Sequence, residues 1–412
     1  MSSEVLERFL RYVRINTQSQ EGVEDRYPST EGQWDLLRLL KEELMDMGMK
    51  EVELDKYGYV TATLPSNLPE GKNPPVIGFI AHVDTSPEAP GEGVNPIIHH
   101  DYQGGEIVLN KEKGIILTPK ENPVLRENIG NVIITTDGNT LLGADDKAGV
   151  AEIMTAMHFL IEHPEIPHGK IRVAFTPDEE VGNGTKYFDV KKFGADIAYT
   201  MDGGTLGEVE NENFNAATAI FRLEGYNVHP GYAKGRMKNS IRALGDIIIR
   251  LPIEMAPETT EKREGYLHPH HAQGTVSYSE LKVIIRDFDL AGMEEKKAFL
   301  QRIATEVSKL NPGVKVNLEF KDSYKNMRYQ LDKEPRAVNY ALKAVEMAGI
   351  KPKLNLIRGG TDGARLSYLG LPTPNIFAGG QNFHSVKEWI PLQAMEKAVE
   401  VIVNIARLFA ME

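Results

Sequence analysis

The run Val76-Ile77-Gly78-Phe79-Ile80-Ala81 is apolar at every position and stops at His82-Val83-Asp84. An unbroken apolar run of that length reads as a strand covered on both faces, hence one inside a sheet with layers on either side. The pattern recurs. Lys170 to Thr176 reads as a second buried strand that exits into Asp178-Glu179-Glu180, and Ile197 to Met201 as a third that ends at Asp202. Between them, Leu141 to Gly143 leads to Asp145-Asp146-Lys147, with a helix predicted from Ala148 to Glu162 directly afterwards. Repetition of strand, acidic or imidazole group, then helix predicts an α/β sheet whose functional groups collect at the carboxyl ends of its strands.

At 412 residues the chain exceeds what one hydrophobic core usually holds, which predicts two domains. The α/β pattern runs from helices at Glu4 to Val13 and Gly32 to Met47 through Asp202. It resumes with a helix from Pro335 to Ala348, strands at Leu354 to Ile357 and Thr373 to Phe377, and a closing helix from Leu392 to Phe409. Between the two halves the order changes to strand (Ala216 to Leu223), helix (Lys238 to Arg250), strand (Glu280 to Phe288), helix (Met293 to Leu310) and strand (Lys315 to Phe320). This run has its own apolar face and reads as an inserted α+β domain. The expected division is therefore 1–212 with 325–412 for the main domain and 213–324 for the insertion. A long Gly- and Pro-containing stretch from Ser86 to Asn131 suggests a hairpin excursion, and His268, His270 and His271 are expected in an exposed loop.

Composition narrows the function classes. The 47 basic against 59 acidic side chains give a formal charge of -12, which disfavours nucleic acid and anionic membrane as partners. No stretch approaches the ~18 apolar residues of a membrane span, and the charged N-terminal segment lacks the apolar core of a signal peptide, so a cytoplasmic enzyme is expected. With no cysteine, neither a disulfide nor a thiolate metal site is possible.

Imidazole and carboxylate groups remain, and they are the ligand types of a paired divalent-cation centre. His82 and Asp84 lie two apart on extended chain and share a side, so one can bind while the other orients it. Asp145 and Asp146 open a helix, where a carboxylate also serves as an ordinary cap. Glu179 and Glu180 are neighbours whose side chains diverge, so one can ligate while the other acts as a general base; a solvated acidic turn is the alternative. Asp202 precedes Gly203-Gly204, a common turn pair, and His384 follows the loop Gly379-Gly380-Gln381-Asn382-Phe383. His229 precedes Pro230 and fits a turn equally well, and Arg286 fits a strand-edge charge. Gly359-Gly360-Thr361-Asp362-Gly363 forms a turn into a helix, whose free N–H groups suit a carboxylate or an oxyanion as well as a plain N-cap. The order of five signals at successive strand ends, rather than any one of them, carries the reading.

In that order the motifs "FIAHVDTSPEAPG", "LLGADDKAGVAEI", "FTPDEEVGNG", "YTMDGG", "NVHPGYAKGRMKNS", "IIRDFD", "RGGTDGARLS" and "GGQNFHSVKEW" resemble the M20 family of co-catalytic metallopeptidases over essentially the whole chain. The resemblance implies a zinc-exopeptidase-like mixed sheet with helices on both faces, plus a ferredoxin-like lid and dimerisation domain. It implies two Zn²⁺ per subunit, about 3.5–4 Å apart, bridged by Asp145 and a shared water. His82 and Asp202 would complete one site, and Glu180 and His384 the other. It further implies a cis peptide bond between Asp145 and Asp146, Asp84 as orienting acid and Glu179 as base. His229 would stabilise the oxyanion across a homodimer interface, with Asn239 a nearby substrate contact and Arg286 the partner of a substrate carboxylate. The activity implied is removal of the N-terminal residue from tripeptides. The alternative within the family is a carboxypeptidase, dipeptidase or N-acyl-amino-acid amidohydrolase.

Overall fold

The computed structural model describes residues 2–412 and divides them into two compact units. The larger runs to Asn211 and resumes over Met327–Asn355 and Thr361–Glu412; the smaller comprises Glu212–Asn326 together with Leu356–Gly360.

The larger unit is α/β and centres on an eight-stranded sheet. In chain order its strands are β1 (Lys50–Leu54), β2 (Val60–Leu64), β3 (Ile77–His82), β4 (Ile171–Thr176), β5 (Ile197–Gly203), β6 (Glu208–Asn213), β7 (Lys353–Ile357) and β8 (Asn375–Phe377). In space they run β1-β2-β4-β3-β5-β8-β6-β7. The centre is parallel, since β3 pairs with β4 and β5, and β5 with β8, all in parallel; the β1–β2, β2–β4 and β6–β8 pairs are antiparallel. All six residues of β3 and all six of β4 are buried, as strands covered on both faces must be. On one face Ile80, Ala174 and Ala198 pack with Phe193 and Leu366. Alternation turns Phe79 and Tyr199 to the other face, where their rings stack.

Helix Ala144–Glu162 is buried along most of its length and lies close against β3 and β5. Its approach depends on Gly149, because a Cβ there would sit 2.1 Å from the Met201 carbonyl oxygen on β5. The Ser86–Asn131 stretch contains a hairpin (Ile107–Asn110 with Ile115–Leu117) and the strand Ile97–His99, which joins Ile133–Thr135 and Trp389–Pro391 in a three-stranded sheet.

The smaller unit is a four-stranded antiparallel sheet in the order Tyr266–Gly274, Tyr278–Asp287, Asn215–Glu224, Lys315–Tyr324. Its buried face, including Phe221, Leu223, Leu281, Val283 and Ile285, packs on Leu244 and Ile247 of one helix and Leu300, Ile303 and Val307 of another. The expected loop around His268 to His271 is instead the edge strand. Only Leu267 there is buried, so an apolar signal is missing, and the strand is held by its ladder to Tyr278–Asp287. Pro269 is tolerated because an edge strand needs only one set of N–H donors, and the ladder shifts register between Pro269 and His271. Among the described residues no helix is long and apolar enough to cross a membrane.

Candidate metal centre

His82 closes β3 and is 3% exposed. Its Nδ1 faces the Asp84 carbonyl oxygen at 3.0 Å and Asp84 Oδ1 at 3.3 Å, which leaves Nε2 directed at Asp145 Oδ1 (3.0 Å) and Asp202 Oδ1 (3.5 Å). Asp202 arrives on β5, the parallel neighbour of β3. Asp145 arrives from the turn into helix Ala144–Glu162, where its own backbone is not yet helical (φ -83°, ψ 103°). Gly143, at φ 82°, takes the left-handed conformation this turn requires. The Asp145–Asp146 peptide bond is cis.

The second carboxylate oxygen of Asp145 lies 3.3 Å from His384 Nε2, and Glu180 Oε2 lies 2.9 Å from the same nitrogen. His384 sits in the loop after β8 with φ 58°, and its Nδ1 meets Glu88 Oε2 at 3.1 Å. The result is two groups, His82–Asp145–Asp202 and Asp145–Glu180–His384. In each, one potential ligand atom per residue lies within 4.8 Å of the others. Asp145 is common to both and turns one oxygen towards each histidine.

The electrostatics suit a divalent cation. Burial pushes the Asp202 carboxyl up to about 8; burial, then the charge of Asp145, pushes Glu180 up to about 9. Burial also raises Glu179. Against the cost of its own burial, hydrogen bonds from His384 and His82 hold Asp145 well below the usual carboxylate range. Asp145 and Glu180 raise His384 to about 11, and His82 is raised by Asp145, Asp202 and Asp84 despite its burial. Glu180 Oε1 is buried with no hydrogen-bond partner, an orphaned acceptor aligned with a ligand's role. Imidazole nitrogen and carboxylate oxygen are the donor set of a divalent metal.

Residues 134–408 match the family described as peptidase family M20/M25/M40. The chain belongs to this peptidase family. Among its relatives, the proteins named Peptidase T from Geobacillus kaustophilus and Caldanaerobacter subterraneus are 54% and 53% identical, over 409 and 407 residues, with 99% of each chain covered. The fold is shared with the crystal structure of aminopeptidase PepT from Bacillus cereus (TM-score 0.77, 23% identity, 100% of this chain and 99% of that one). It is shared also with Bacillus subtilis YXEP, described as a dinuclear metal binding peptidase of family M20 (TM-score 0.67, 14% identity, 100% and 99%). The M20 enzyme described here is a peptidase, and its two histidine–carboxylate groups support metal binding.

Other side chains complete the surroundings. Asp84 is fully buried and accepts the backbone N–H groups of Glu179 (2.9 Å) and Glu180 (3.1 Å). Asp178, itself at φ 57°, accepts from the Ser29 amide (2.7 Å), the Ser29 hydroxyl (2.5 Å) and Gln33 Nε2 (2.7 Å), which fixes the turn on its other side. Glu88, Asp178 and Glu388 were not singled out as contributors by sequence. For Glu388 a signal existed, because it directly precedes the apolar Trp389-Ile390, where an acid is poorly explained by solvation.

The remaining four candidates belong to the smaller unit. Exposed His229 caps the turn Pro230–Tyr232, its Nδ1 accepting from the Gly231 amide at 3.1 Å. Asn239 caps helix Ser240–Ile248, its Oδ1 accepting from the Ile241 amide at 3.0 Å. The Arg286 guanidinium lies 5.2 Å from the centre of the Tyr324 ring, and a Cβ on Gly360 would lie 2.7 Å from that same ring.

Proposed function

We propose that this enzyme is a cytosolic dizinc aminopeptidase that removes the N-terminal residue of tripeptides. One observation carries the metal part of the reading: two histidine–carboxylate groups converge on Asp145, which offers a separate oxygen to each. Relatives named Peptidase T at 54% identity support the substrate class.

His82, Asp145 and Asp202 would hold one zinc ion, and Asp145, Glu180 and His384 the other. When bound, such a pair polarises the scissile carbonyl and makes water more acidic. Asp84 fixes the His82 ring through Nδ1 and holds the Glu179–Glu180 turn by two amides. Glu179, a member of neither group and raised in pKa by burial, takes the proton of the attacking water and delivers it to the departing amine. His229, supplied by a second copy, stabilises the oxyanion, and Asn239 contacts substrate. Arg286 pairs with the far carboxylate of the tripeptide, with a backbone N–H of Gly360 beside it.

The smaller unit also supports the homodimer, since it exposes Ile241, Ile248, Ile249 and Ile253. Exposed large apolar side chains such as these suit an association surface. Sedimentation should give twice the 45.9 kDa chain mass.

The deciding assay compares a tripeptide, its N-acetylated form and its C-terminal amide with zinc-loaded enzyme. Cleavage of the free tripeptide with the acetylated form resistant is the expected result. Hydrolysis of the acetylated peptide would instead favour a carboxypeptidase or an N-acyl-amino-acid amidohydrolase.

A further inference from the structure

Glu388 lies four residues beyond His384, is 1% exposed, and belongs to neither histidine–carboxylate group. Its carboxylate is spent on backbone. Oε2 accepts the N–H groups of Leu142 and Gly143 at 2.7 Å each, and Oε1 accepts that of Asp145 at 3.0 Å. These amides belong to the turn that enters helix Ala144–Glu162, where the first N–H groups have no acceptor within the helix. A buried turn of this kind needs an outside acceptor, and one carboxylate meets three donors at once.

The loop that carries Glu388 is itself pinned. Gln381 and Trp389 exchange backbone hydrogen bonds at 2.8 and 3.1 Å across its base, and Asn382 Nδ2 donates to the Lys387 carbonyl at 3.1 Å. Both Asn382 and His384 hold left-handed backbone within it, at φ 55° and 58°. One closed loop therefore presents His384 at its tip and Glu388 at its base, and Glu388 grips the turn from which Asp145 projects.

We infer that Glu388 is a positioning residue that fixes Asp145 relative to His384 and so sets metal affinity and coordination geometry at the shared carboxylate. This rests on the reading of Asp145 and His384 as ligands. A glutamine at 388 has nearly the same shape but only one acceptor oxygen, and its NH₂ group would face an N–H donor.

The test compares wild type with Glu388→Gln and Glu388→Asp, each first stripped of metal. Zinc affinity is read by competition with a chromophoric chelator, geometry by the visible spectrum of the Co²⁺-substituted protein, and folding by the melting curve of the metal-free form. Glu388→Gln should bind zinc about 10–100-fold more weakly and shift the Co²⁺ bands, with its metal-free form still melting cooperatively, at a lower temperature than wild type because a buried N–H loses its acceptor. Glu388→Asp, which keeps both oxygens, should recover part of the affinity. Unchanged affinity and spectrum in Glu388→Gln would overturn the inference. So would loss of folding in both metal-free variants, which would make the residue a folding determinant alone. A wild type that failed to take up zinc would remove the ligand assignment as well, whereas normal uptake in wild type and variant removes only the role of Glu388.

Discussion

Asp84 accepts the backbone N–H of Glu179 at 2.9 Å, while the same carboxylate oxygen lies 3.3 Å from His82 Nδ1. A single buried acid thus orients the imidazole at the end of β3 and anchors the turn after β4. Because β3 and β4 are parallel neighbours in register from Ile77–Ile171 to His82–Thr176, their ends stay side by side, and Asp84 bridges the gap between them.

Asp84→Asn tests that double role. The amide keeps one acceptor oxygen but presents NH₂ to the Glu179–Glu180 amides or to His82. Metal affinity and kcat should each fall about 10–100-fold, with the circular dichroism of the folded protein retained. Wild-type zinc affinity in this variant would show that the contacts are incidental.

Glu179→Gln separates proton transfer from metal binding. Glu179 contributes to neither histidine–carboxylate group, so zinc content should stay at the wild-type level. Loss of the base should lower kcat by roughly 10²–10⁴-fold. Near-normal turnover by the zinc-loaded variant would assign the proton to another group.

The parallel centre of the sheet was legible in the sequence because β3 and β4 are buried on both faces and leave uninterrupted apolar runs. His82, Glu180 and Asp202 were legible for the same reason, since each closes or follows such a run, whereas Asp145 follows the turn at Gly143 and His384 a glycine-containing loop. What the sequence concealed is held by backbone hydrogen bonds rather than apolar periodicity. The edge strand Tyr266–Gly274 buries only Leu267, and β6 (Glu208–Asn213) has an acidic, amidic composition that reads as loop. The contacts of Glu388 and Asp178 were hidden likewise: an acid before Trp389-Ile390 hints at burial, but neither the Leu142, Gly143 and Asp145 amides that Glu388 meets nor the Ser29 and Gln33 groups that Asp178 meets can be read from a residue pattern.

Without metal the centre should be less stable as pH rises. The folded carboxyls of Asp202 (about 8) and Glu180 (about 9) stand above their unfolded values near 4. Their contribution to stability is therefore complete below about pH 4 and is lost as pH climbs through those folded values. His384, raised from about 6.5 to about 11, acts in the same direction. The metal-free melting temperature should fall between about pH 5 and pH 9. Metal reverses this, because ligands must lose their protons to bind it. Zinc affinity should rise with pH, with proton release visible by calorimetry in two buffers of different ionisation enthalpy. A metal-free melting temperature that rises towards pH 9 would contradict the assignment.

Two glycine-to-alanine changes should have opposite signs. In helix Ala144–Glu162, a Cβ on Gly149 would meet the Met201 carbonyl oxygen at 2.1 Å and Asp146 Oδ1 at 2.5 Å. The first of these atoms is β5 backbone and cannot rotate away, so Gly149→Ala must lift the helix from the strand. Overpacking of this kind costs about 3 kcal/mol. The helix start carries Asp145 and β5 carries Asp202, so the displacement should also widen the His82–Asp145–Asp202 group and weaken zinc binding. Gly245, exposed in helix Ser240–Ile248, has nothing within 4 Å of its would-be Cβ. There alanine only removes backbone freedom from the unfolded chain, a gain of about 0.5–1 kcal/mol. Denaturant unfolding of both variants, followed by zinc titration, checks the pair. Equal effects at the two positions would mean that the contact between helix Ala144–Glu162 and β5 does not govern the centre.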